Sequence, residues 1–282
     1  MTLELLINTP ALNWPDDAGE FLLAILEKAD ADPEERLTAA ELAGEYVVVN
    51  DEIARTLLAI ACNRDATDEL RCVAAVSLGP ALEDADTMEF DDPEDTVISE
   101  AAFIDIKRSL RKVFMDADSS DTVRRSVLEA TVRAPEDWQV EAVRGAFSKG
   151  SAAWKLTAVF CMRFVGEFEK EIIASLKSDD PAIFLEAILA AGSKEIDAAW
   201  PVVEQLLQSD DTPKDLRIAA IDASVGIRPE EAMPLLVELS ESTDEEIAEA
   251  AEDALAMLTG MDGLVDDEDV VDDEDGVDDE PS

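Results

Sequence analysis

The fold is decided by residues 216–223, whose sequence LRIAAIDA recurs in altered form along the chain. Successive copies begin 29 to 35 residues apart, except that 53 residues separate Leu70 from Val123. A regular period is typical of repeat proteins, here with a unit of about 31 residues and one insertion of roughly 20 residues. The other copies occupy residues 35–42 (ERLTAAEL), 70–77 (LRCVAAVS), 123–130 (VRRSVLEA), 154–161 (WKLTAVFC), 183–190 (IFLEAILA) and 247–254 (IAEAAEDA).

Each repeat unit predicts two helices joined by a short turn. An apolar segment with helical spacing comes first, an acidic turn follows, and the recurring phrase forms the second apolar segment. Asp32 and Asp180 each precede a proline, which places a capping side chain before proline at the first helical position. Gly192 and Gly226 lie where we expect helices to end. The sequence therefore predicts an all-α fold.

Paired alanines in the recurring phrase are one basis for a resemblance to a known family. Ala39–Ala40, Ala74–Ala75 and Ala219–Ala220 would let the helices of neighbouring units approach closely. One helix pair cannot bury its apolar faces alone, whereas stacked pairs share a continuous core. The chain resembles the HEAT-repeat family, in particular the short HEAT-like repeats of the phycobilisome-lyase type. The resemblance implies an α-solenoid of about seven HEAT-like helix pairs.

The resemblance and the charge pattern divide the chain into three parts. We expect an N-terminal extension over residues 1–15, a HEAT-like α-solenoid over 16–261 and a disordered acidic tail over 262–282. The tail contains 12 acidic residues and no base, and such a block repels itself. The insertion, at about residues 80–96, is also acidic and is predicted to be a solvated loop.

Acidic and basic residues in the second helices also match the family pattern. The resemblance implies that they cap helices and form a ladder between repeats, which is a structural role. Two repeats lack the arginine, because Phe184 and Ala248 occupy its position. The pairs are Asp68 with Arg71, Asp121 with Arg124, and Asp215 with Arg217.

The composition of the chain excludes several classes of protein. Among its 282 residues, 68 are Asp or Glu, 22 are Lys or Arg and none is His, so the formal net charge is −46. Such a surface repels phosphates, which disfavours nucleic acids and anionic membranes as partners. Without histidine the chain lacks every His-based triad and His metal site. We therefore predict no catalytic, metal-binding or cofactor-binding residue, no cofactor, and a protein that is not an enzyme.

Cysteine content and charge also indicate the surroundings of the protein. Cys62, Cys72 and Cys161 are an odd set without CxxC spacing, which predicts buried free thiols. No uncharged apolar run approaches the roughly 20 residues of a membrane helix, and residues 1–14 lack the pattern of a signal peptide. These features predict a cytoplasmic protein. The acidic, lysine-poor composition is typical of a halophilic source, although the same charge would keep a protein of an ordinary cell soluble.

One segment, residues 103–165, departs from the acidic trend and is called the basic window. It holds eleven bases and eight acids, a balance of +3 in a chain of net charge −46. Two explanations remain open: ion pairs that stabilise the fold, or a patch that binds an acidic peptide, a phosphate group or the acidic tail of the chain. The candidate partner-binding residues are Lys107, Arg108, Arg111, Lys112, Arg125, Arg133 and Arg144.

The predicted function is a non-enzymatic scaffold or adaptor for protein–protein interactions. Its binding surface would be the concave face of the solenoid, lined by the second helices, and the protein would act as a monomer. One alternative is an acidic decoy or chaperone for basic proteins that acts through the tail, residues 262–282. Another is a bilin-lyase-like enzyme subunit, which the resemblance implies but which no residue here identifies.

Overall fold

The computed structural model describes residues 1–28, 31–88, 90 and 96–265, with side chains except at Lys149 and 261–265. Every regular element over these residues is helical, which confirms the predicted all-α class. The chain divides into two compact units, residues 1–168 and 169–282, and each unit is described by itself.

The described part of the first unit contains four helix–turn–helix pairs and two additional α-helices. The helices are α1 (Leu3–Ile7), α2 (Ala18–Leu26), α3 (Pro33–Leu42), α4 (Asp51–Cys62), α5 (Asp68–Val76), α6 (Gly79–Thr87), α7 (Glu100–Met115), α8 (Asp121–Thr131), α9 (Asp137–Lys149) and α10 (Ala152–Cys161). The pairs are α2/α3, α4/α5, α7/α8 and α9/α10. Second helices of neighbouring pairs pack on one another, α3 on α5, α5 on α8 and α8 on α10.

The described part of the second unit contains three further pairs. They are formed by α11 (Glu169–Ser175) with α12 (Pro181–Ser193), α13 (Trp200–Gln208) with α14 (Lys214–Ile227), and α15 (Pro229–Leu239) with α16 (Glu245–Val265). Here too the second helices pack in sequence, α12 on α14 and α14 on α16. Each copy of the recurring phrase lies in the second helix of a pair, so the seven predicted helix pairs are confirmed.

Small residues hold the second helices close together. The alanine pairs of α3, α5 and α14 are almost completely buried, as the sequence predicted. Gly192 and Gly226 were expected at helix ends, but each lies one residue inside the end of its helix, α12 or α14. A Cβ atom on Gly192 would lie 2.5 Å from the Cα atom of Ala223 in α14. These glycines therefore permit close helix contact rather than ending a helix.

Arginines of the second helices cap the first helices of their own pairs. The Arg71 side chain in α5 donates from Nε to the carbonyl oxygen of Ala61 in α4 at 3.1 Å. Arg124 in α8 donates in the same way to Phe114 at the end of α7, at 2.9 Å. The ladder predicted between repeats is therefore wrong for these arginines, because their bonds join the two helices within one pair. Equivalent bonds run from Arg36 to Leu26 and from Arg217 to Ser209.

We expect Arg71→Met to lower the free energy of unfolding by about 1–2 kcal/mol, because the Ala61 carbonyl loses its donor in a buried position. Arg71 is 5% exposed, so water cannot readily replace the guanidinium. The matched control is Arg55→Met, whose side chain is 63% exposed and pairs only with Asp51 one turn away. This control should cost less than about 0.5 kcal/mol. Urea unfolding at one fixed salt concentration measures both variants, and equal losses would contradict the capping role of Arg71.

The predicted loop at the insertion is largely a helix. Residues 80–87 belong to α6, which buries Ala81, Leu82 and Ala85 against its neighbours α7 and α8. The prediction of a solvated loop is therefore wrong over these residues, because an otherwise acidic helix buries its apolar face. The remainder of the insertion is described only at residues 88, 90 and 96.

Both ends of the predicted solenoid carry helical structure. In the N-terminal extension, Leu6 of α1 is buried, and the Trp14 Nε1 group donates to the carbonyl oxygens of Leu6 at 3.0 Å and Thr9 at 2.8 Å. At the other end α16 continues to Val265, so the predicted tail begins inside a helix. The disorder predicted for residues 266–282 lies outside the described residues.

Two further sequence predictions concern the cysteines and the membrane. The three cysteines are free, and Cys161 is buried while Cys62 and Cys72 are half-buried. Among the described residues, none of the helices combines the length and apolar character that a bilayer span requires.

Candidate functional site

Helix α7 separates the core of its repeat from a surface groove. Its inner face buries Ile106, Leu110, Val113 and Phe114. Phe103 is half-buried at the edge of this face. The opposite face carries the charged residues, and it is this face that borders the groove.

The start of α7 is fixed to the preceding first helix, α4. Ser99 caps α7 by accepting a hydrogen bond from the Ala102 amide at 3.3 Å. The Ser99 amide and hydroxyl both donate to the Asp51 carboxylate, each at 2.8 Å. Burial acts to raise the pKa of Asp51, but the Ser99 bonds and the Arg55 guanidinium together outweigh it and hold that pKa below its ordinary value. The bases of α7 are therefore displayed from a rigidly capped helix.

The groove has a volume of about 530 Å³ and combines basic with apolar side chains. Ile104 is 52% exposed and Met115 is 56% exposed, which is unusual for such large apolar side chains in a helical protein. Four bases lie between them along the helix. We call this surface the α7 groove; it is lined by Phe103, Ile104, Lys107, Arg108, Arg111, Lys112 and Met115 of α7 and by Glu136.

Aromatic rings hold two of the basic side chains of the α7 groove in place. The Lys107 ammonium lies 4.7 Å from the centre of the Phe103 ring, and the Arg111 guanidinium lies 5.5 Å from the Trp138 ring. Trp138 in turn donates from Nε1 to the Glu136 carboxylate at 2.8 Å. Stacking of this kind orients a cation without neutralising its charge.

The ion pairs of the α7 groove leave part of its positive charge unpaired. Lys107 pairs with Asp86 of α6 at 3.8 Å, and Arg108 pairs with Asp105 one turn earlier. Within the part of the chain that the structure describes, neither Arg111 nor Lys112 forms an ion pair. Helix α7 has four bases and two acids, a balance of +2, whereas the whole chain has −46. The groove is therefore a local positive site on a strongly negative protein.

The structure brings together four of the seven candidate residues and places the other three elsewhere. Arg133 pairs with Glu83 and stacks 5.3 Å from the Phe164 ring, and Arg144 pairs with Glu141 and lies 5.7 Å from the Phe168 ring. Both side chains therefore have stabilising contacts within the fold. The residues that share the groove are Lys107, Arg108, Arg111 and Lys112.

Arg125 lies on the second helix α8, apart from the groove. It is near Glu129, a carboxyl that is largely buried between α8 and α10. Burial raises the pKa of Glu129, and the Thr157 hydroxyl bond and Arg125 partly offset that rise. Arg125 is therefore part of the contact between neighbouring second helices.

The two exposed apolar residues of the groove, Ile104 and Met115, were not predicted from the sequence. Ile104, Arg108, Arg111 and Met115 follow the i, i+4, i+7, i+11 spacing of one helical stripe. That spacing predicts one stripe with apolar ends and a basic centre, whereas the prediction rested on charge alone. The groove also lies on a first helix, whereas the predicted binding surface was lined by second helices.

A second cavity, of about 510 Å³, lies where α8, α9 and α10 meet. Its arginine, Arg124, is held between the rings of Phe114 at 5.3 Å and Trp154 at 5.7 Å. The same guanidinium caps α7 and lies 3.7 Å from Asp121. Because its donors already have partners, this cavity is a weaker candidate for binding than the α7 groove.

Metal-ligating and nucleophilic groups are dispersed in the described residues. No group of three or more Cys, Asp or Glu side chains in the described part of the chain is placed to hold a metal ion. Burial raises the pKa of the Cys62 and Cys72 thiols, which lowers the fraction of reactive thiolate at neutral pH.

Comparison with known families identifies HEAT repeats in the second unit. Residues 169–256 match the family of HEAT repeats, which confirms the resemblance over that range. A search of curated protein sequences found no match to this chain.

Several solved structures match the chain over most of its length at low sequence identity. YibA of Escherichia coli is 16% identical, with 90% of each chain covered and a TM-score of 0.42. Human deoxyhypusine hydroxylase is 16% identical, with 92% of this chain and 88% of that chain covered and a TM-score of 0.41. A designed armadillo repeat protein is 15% identical, with 84% and 98% covered and a TM-score of 0.33.

The prediction that the chain is not an enzyme is contradicted by this comparison. One of the matched structures, human deoxyhypusine hydroxylase, is an enzyme. The prediction is therefore withdrawn.

Proposed function

We propose that the chain is a protein-interaction module whose α7 groove binds an acidic, partly apolar segment of a partner protein. The observation that carries this proposal is the alignment of four bases between two exposed apolar side chains on one helix face. A partner segment could place carboxylates on the unpaired charges of Arg111 and Lys112. Its apolar side chains would cover Ile104 and Met115, which are otherwise in water.

The apolar residues of the α7 groove favour a peptide over a bare phosphate group or a nucleic acid. A phosphate would use the bases and leave Ile104 and Met115 uncovered. The phosphates of a nucleic acid would extend beyond one short basic stripe. The rest of the chain, whose net charge is −46, would repel them. An acidic peptide with apolar residues matches both kinds of side chain in the groove.

The cell compartment and the assembly state belong to the same proposal. Free thiols at Cys62, Cys72 and Cys161 suit a reducing compartment such as the cytoplasm, which is where we place the protein. We propose a monomer that acts as an adaptor for its partner. The alternative function acts through the acidic tail, residues 262–282, of which 266–282 lie outside the described residues.

Peptide display tests the proposed function directly. A random peptide library is selected on the chain ending at Val265, which retains every described helix, in about 0.01 M salt where charges are least screened. We expect enriched peptides to combine acidic with apolar residues. Arg108→Glu/Arg111→Glu should weaken their binding by roughly tenfold or more, because two attractive contacts become repulsive.

The matched control is Lys170→Glu/Lys177→Glu, which changes the net charge by the same amount at two exposed lysines. This control should keep at least about half of the affinity, because neither lysine lines the groove. Peptides without acids, or equal losses in both variants, would show that the α7 groove is not the binding site.

A further inference from the structure

The N-terminal extension borders another groove of the first unit. Helix α1 packs on α3, and residues of both helices line a cavity of about 350 Å³. Most of its lining side chains are apolar or uncharged, and the only two ionisable ones named in its lining are carboxylates. We call this surface the N-terminal groove; its lining includes Ile7, Ala11, Trp14, Glu41, Leu42 and Glu45.

Hydrogen bonds fix the wall of the groove that the N-terminal extension forms. Leu6 is buried and anchors α1 in the core. The Trp14 Nε1 group donates to the carbonyl oxygens of Leu6 and Thr9, which closes residues 6–14 into a compact loop. Thr2 caps α1 by accepting a hydrogen bond from the Leu5 amide at 3.2 Å. The groove is therefore preformed, and a ligand need not order this segment on binding.

Several apolar side chains at the groove and beside it in the sequence are left in water. Ile7 lines the groove and is 60% exposed, and Leu12 in the same extension is 88% exposed. Tyr46 and Val47, which follow Glu45 in the chain, are exposed as well. Large apolar side chains exposed in one region are typical of interaction sites, because covering them is favourable.

The charge around the N-terminal groove determines which partner it suits. All of its lining residues lie within residues 1–27 and 37–54, which together contain nine acids and no base. Glu41 and Glu45 are exposed, and neither forms an ion pair within the part of the chain that the structure describes. This charge is opposite to that of the α7 groove. A basic partner is therefore attracted here, and an acidic one is repelled.

We propose that the N-terminal groove binds a basic amphipathic helix of a partner protein. Apolar residues at i, i+3 and i+4 spacing form one stripe of such a helix and cover Ile7 and Leu12. Lysines or arginines beside that stripe pair with Glu41 and Glu45, which lie on the α3 side of the groove. The inference goes beyond the proposed function, because it concerns a separate groove and a partner of opposite charge.

Titration of the full chain with a defined peptide tests this inference. The probe is a fluorescent peptide of leucine, alanine and lysine, about four helical turns long, whose leucines recur at helical spacing. Salt at about 0.15 M screens general attraction to the acidic chain. We expect saturable binding. A shuffled peptide of the same composition, and a peptide with glutamate in place of every lysine, should each bind at least roughly tenfold more weakly.

Apolar substitutions locate the binding site. Ile7→Ser/Leu12→Ser should lower the affinity for the probe by roughly tenfold, because two apolar contacts are lost while every charge is kept. The matched control is Val237→Ser/Met257→Ser, which changes two exposed apolar residues of the second unit. It should change the affinity by less than about twofold.

Amide substitutions test the role of charge at the same site. Glu41→Gln/Glu45→Gln should lower the affinity for the probe by about fivefold, because two ion pairs with the peptide are lost. Glu249→Gln/Glu252→Gln removes the same charge from exposed positions of α16 and should change the affinity by less than about twofold. All of these variants replace exposed side chains, so each should keep the helix content of the unchanged protein by circular dichroism.

The inference is overturned when the shuffled peptide binds as tightly as the probe, or when Ile7→Ser/Leu12→Ser loses no more affinity than its control. A second copy of the chain is the competing occupant. Sedimentation without peptide should show a monomer, and a dimer that the same serine variant dissociates would also overturn the inference.

Failure of this inference is distinct from failure of the proposed function. In the peptide selection described above, the N-terminal groove should enrich a second class of peptides that are basic and apolar. Arg108→Glu/Arg111→Glu should weaken binding of the acidic class and not of this basic class. Loss of one class therefore leaves the other as a separate result.

Discussion

Replacing Gly192 by alanine is expected to lower the free energy of unfolding by about 2 kcal/mol, although alanine is the better helix former. The added Cβ atom would lie 2.5 Å from the Cα atom and 2.8 Å from the Cβ atom of Ala223. The first of these is a backbone atom, so no rotation of a side chain relieves the overlap. Helices α12 and α14 must move apart, and they then lose contact along their shared face.

The matched control for this prediction is Gly145→Ala in α9, where the new Cβ atom has no other atom within 4 Å. It should raise the free energy of unfolding by up to about 1 kcal/mol, because alanine restricts the unfolded chain and favours the helix. Denaturant unfolding of both variants measures the difference. A gain of stability in Gly192→Ala would contradict close packing of the second helices at this position.

The arrangement of helix pairs was predictable because its signals are local. The recurring phrase supplies the apolar stripe and the small residues of each second helix, and both are readable within eight positions. Asp32 and Asp180 accept hydrogen bonds from the amides that follow the next proline, as their place in the sequence predicted. A single helix pair would leave its apolar faces in water. The pairs are therefore expected to stack on one another.

The features that sequence reasoning missed depend on contacts between distant residues. Helix α6 is acidic in composition, and the burial of Ala81 and Leu82 depends on the surfaces of α7 and α8. The direction of the Arg71 bond was missed because the accepting carbonyl of Ala61 lies on another helix. Gly192 looked like a helix end because its neighbour in α14 is 31 positions away in the sequence.

The candidate site was only half predictable for a related reason. The charge excess that singles out Lys107, Arg108, Arg111 and Lys112 is a property of the sequence. Whether a base is neutralised within the fold depends on its partners. Arg133, for example, pairs with Glu83, which lies 50 positions earlier in the sequence. The exposure of Ile104 and Met115 is likewise set by the packing around α7.

The melting temperature of the protein is expected to rise by about 10 °C or more between about 0.01 M and 1 M NaCl. The tail over residues 262–282 contains 12 of the 68 acids, so residues 1–261 have 56 acids against 22 bases and a net charge of −34. Even if every base in residues 1–261 formed an ion pair, most of the carboxylates would have no basic partner. Their repulsion reaches about 30 Å at the low salt concentration and about 3 Å at the high one.

Helix α16 offers a variant that isolates repulsion from other effects of salt. Glu249, Glu252 and Asp253 are exposed. Glu252 and Asp253 lie three and four positions after Glu249, so each repels Glu249 across one helix face. Glu249→Gln/Glu252→Gln/Asp253→Asn should raise the melting temperature at low salt by a few degrees, at about 0.2–0.5 kcal/mol for each like-charged pair removed. Its melting temperature in 1 M NaCl should match that of the unchanged protein, because screening has already removed the repulsion there.

Sucrose, which carries no charge, should stabilise both proteins equally. A salt response that is flat, or that the amide variant leaves unchanged, would rule out charge repulsion and with it the case for a salt-adapted protein.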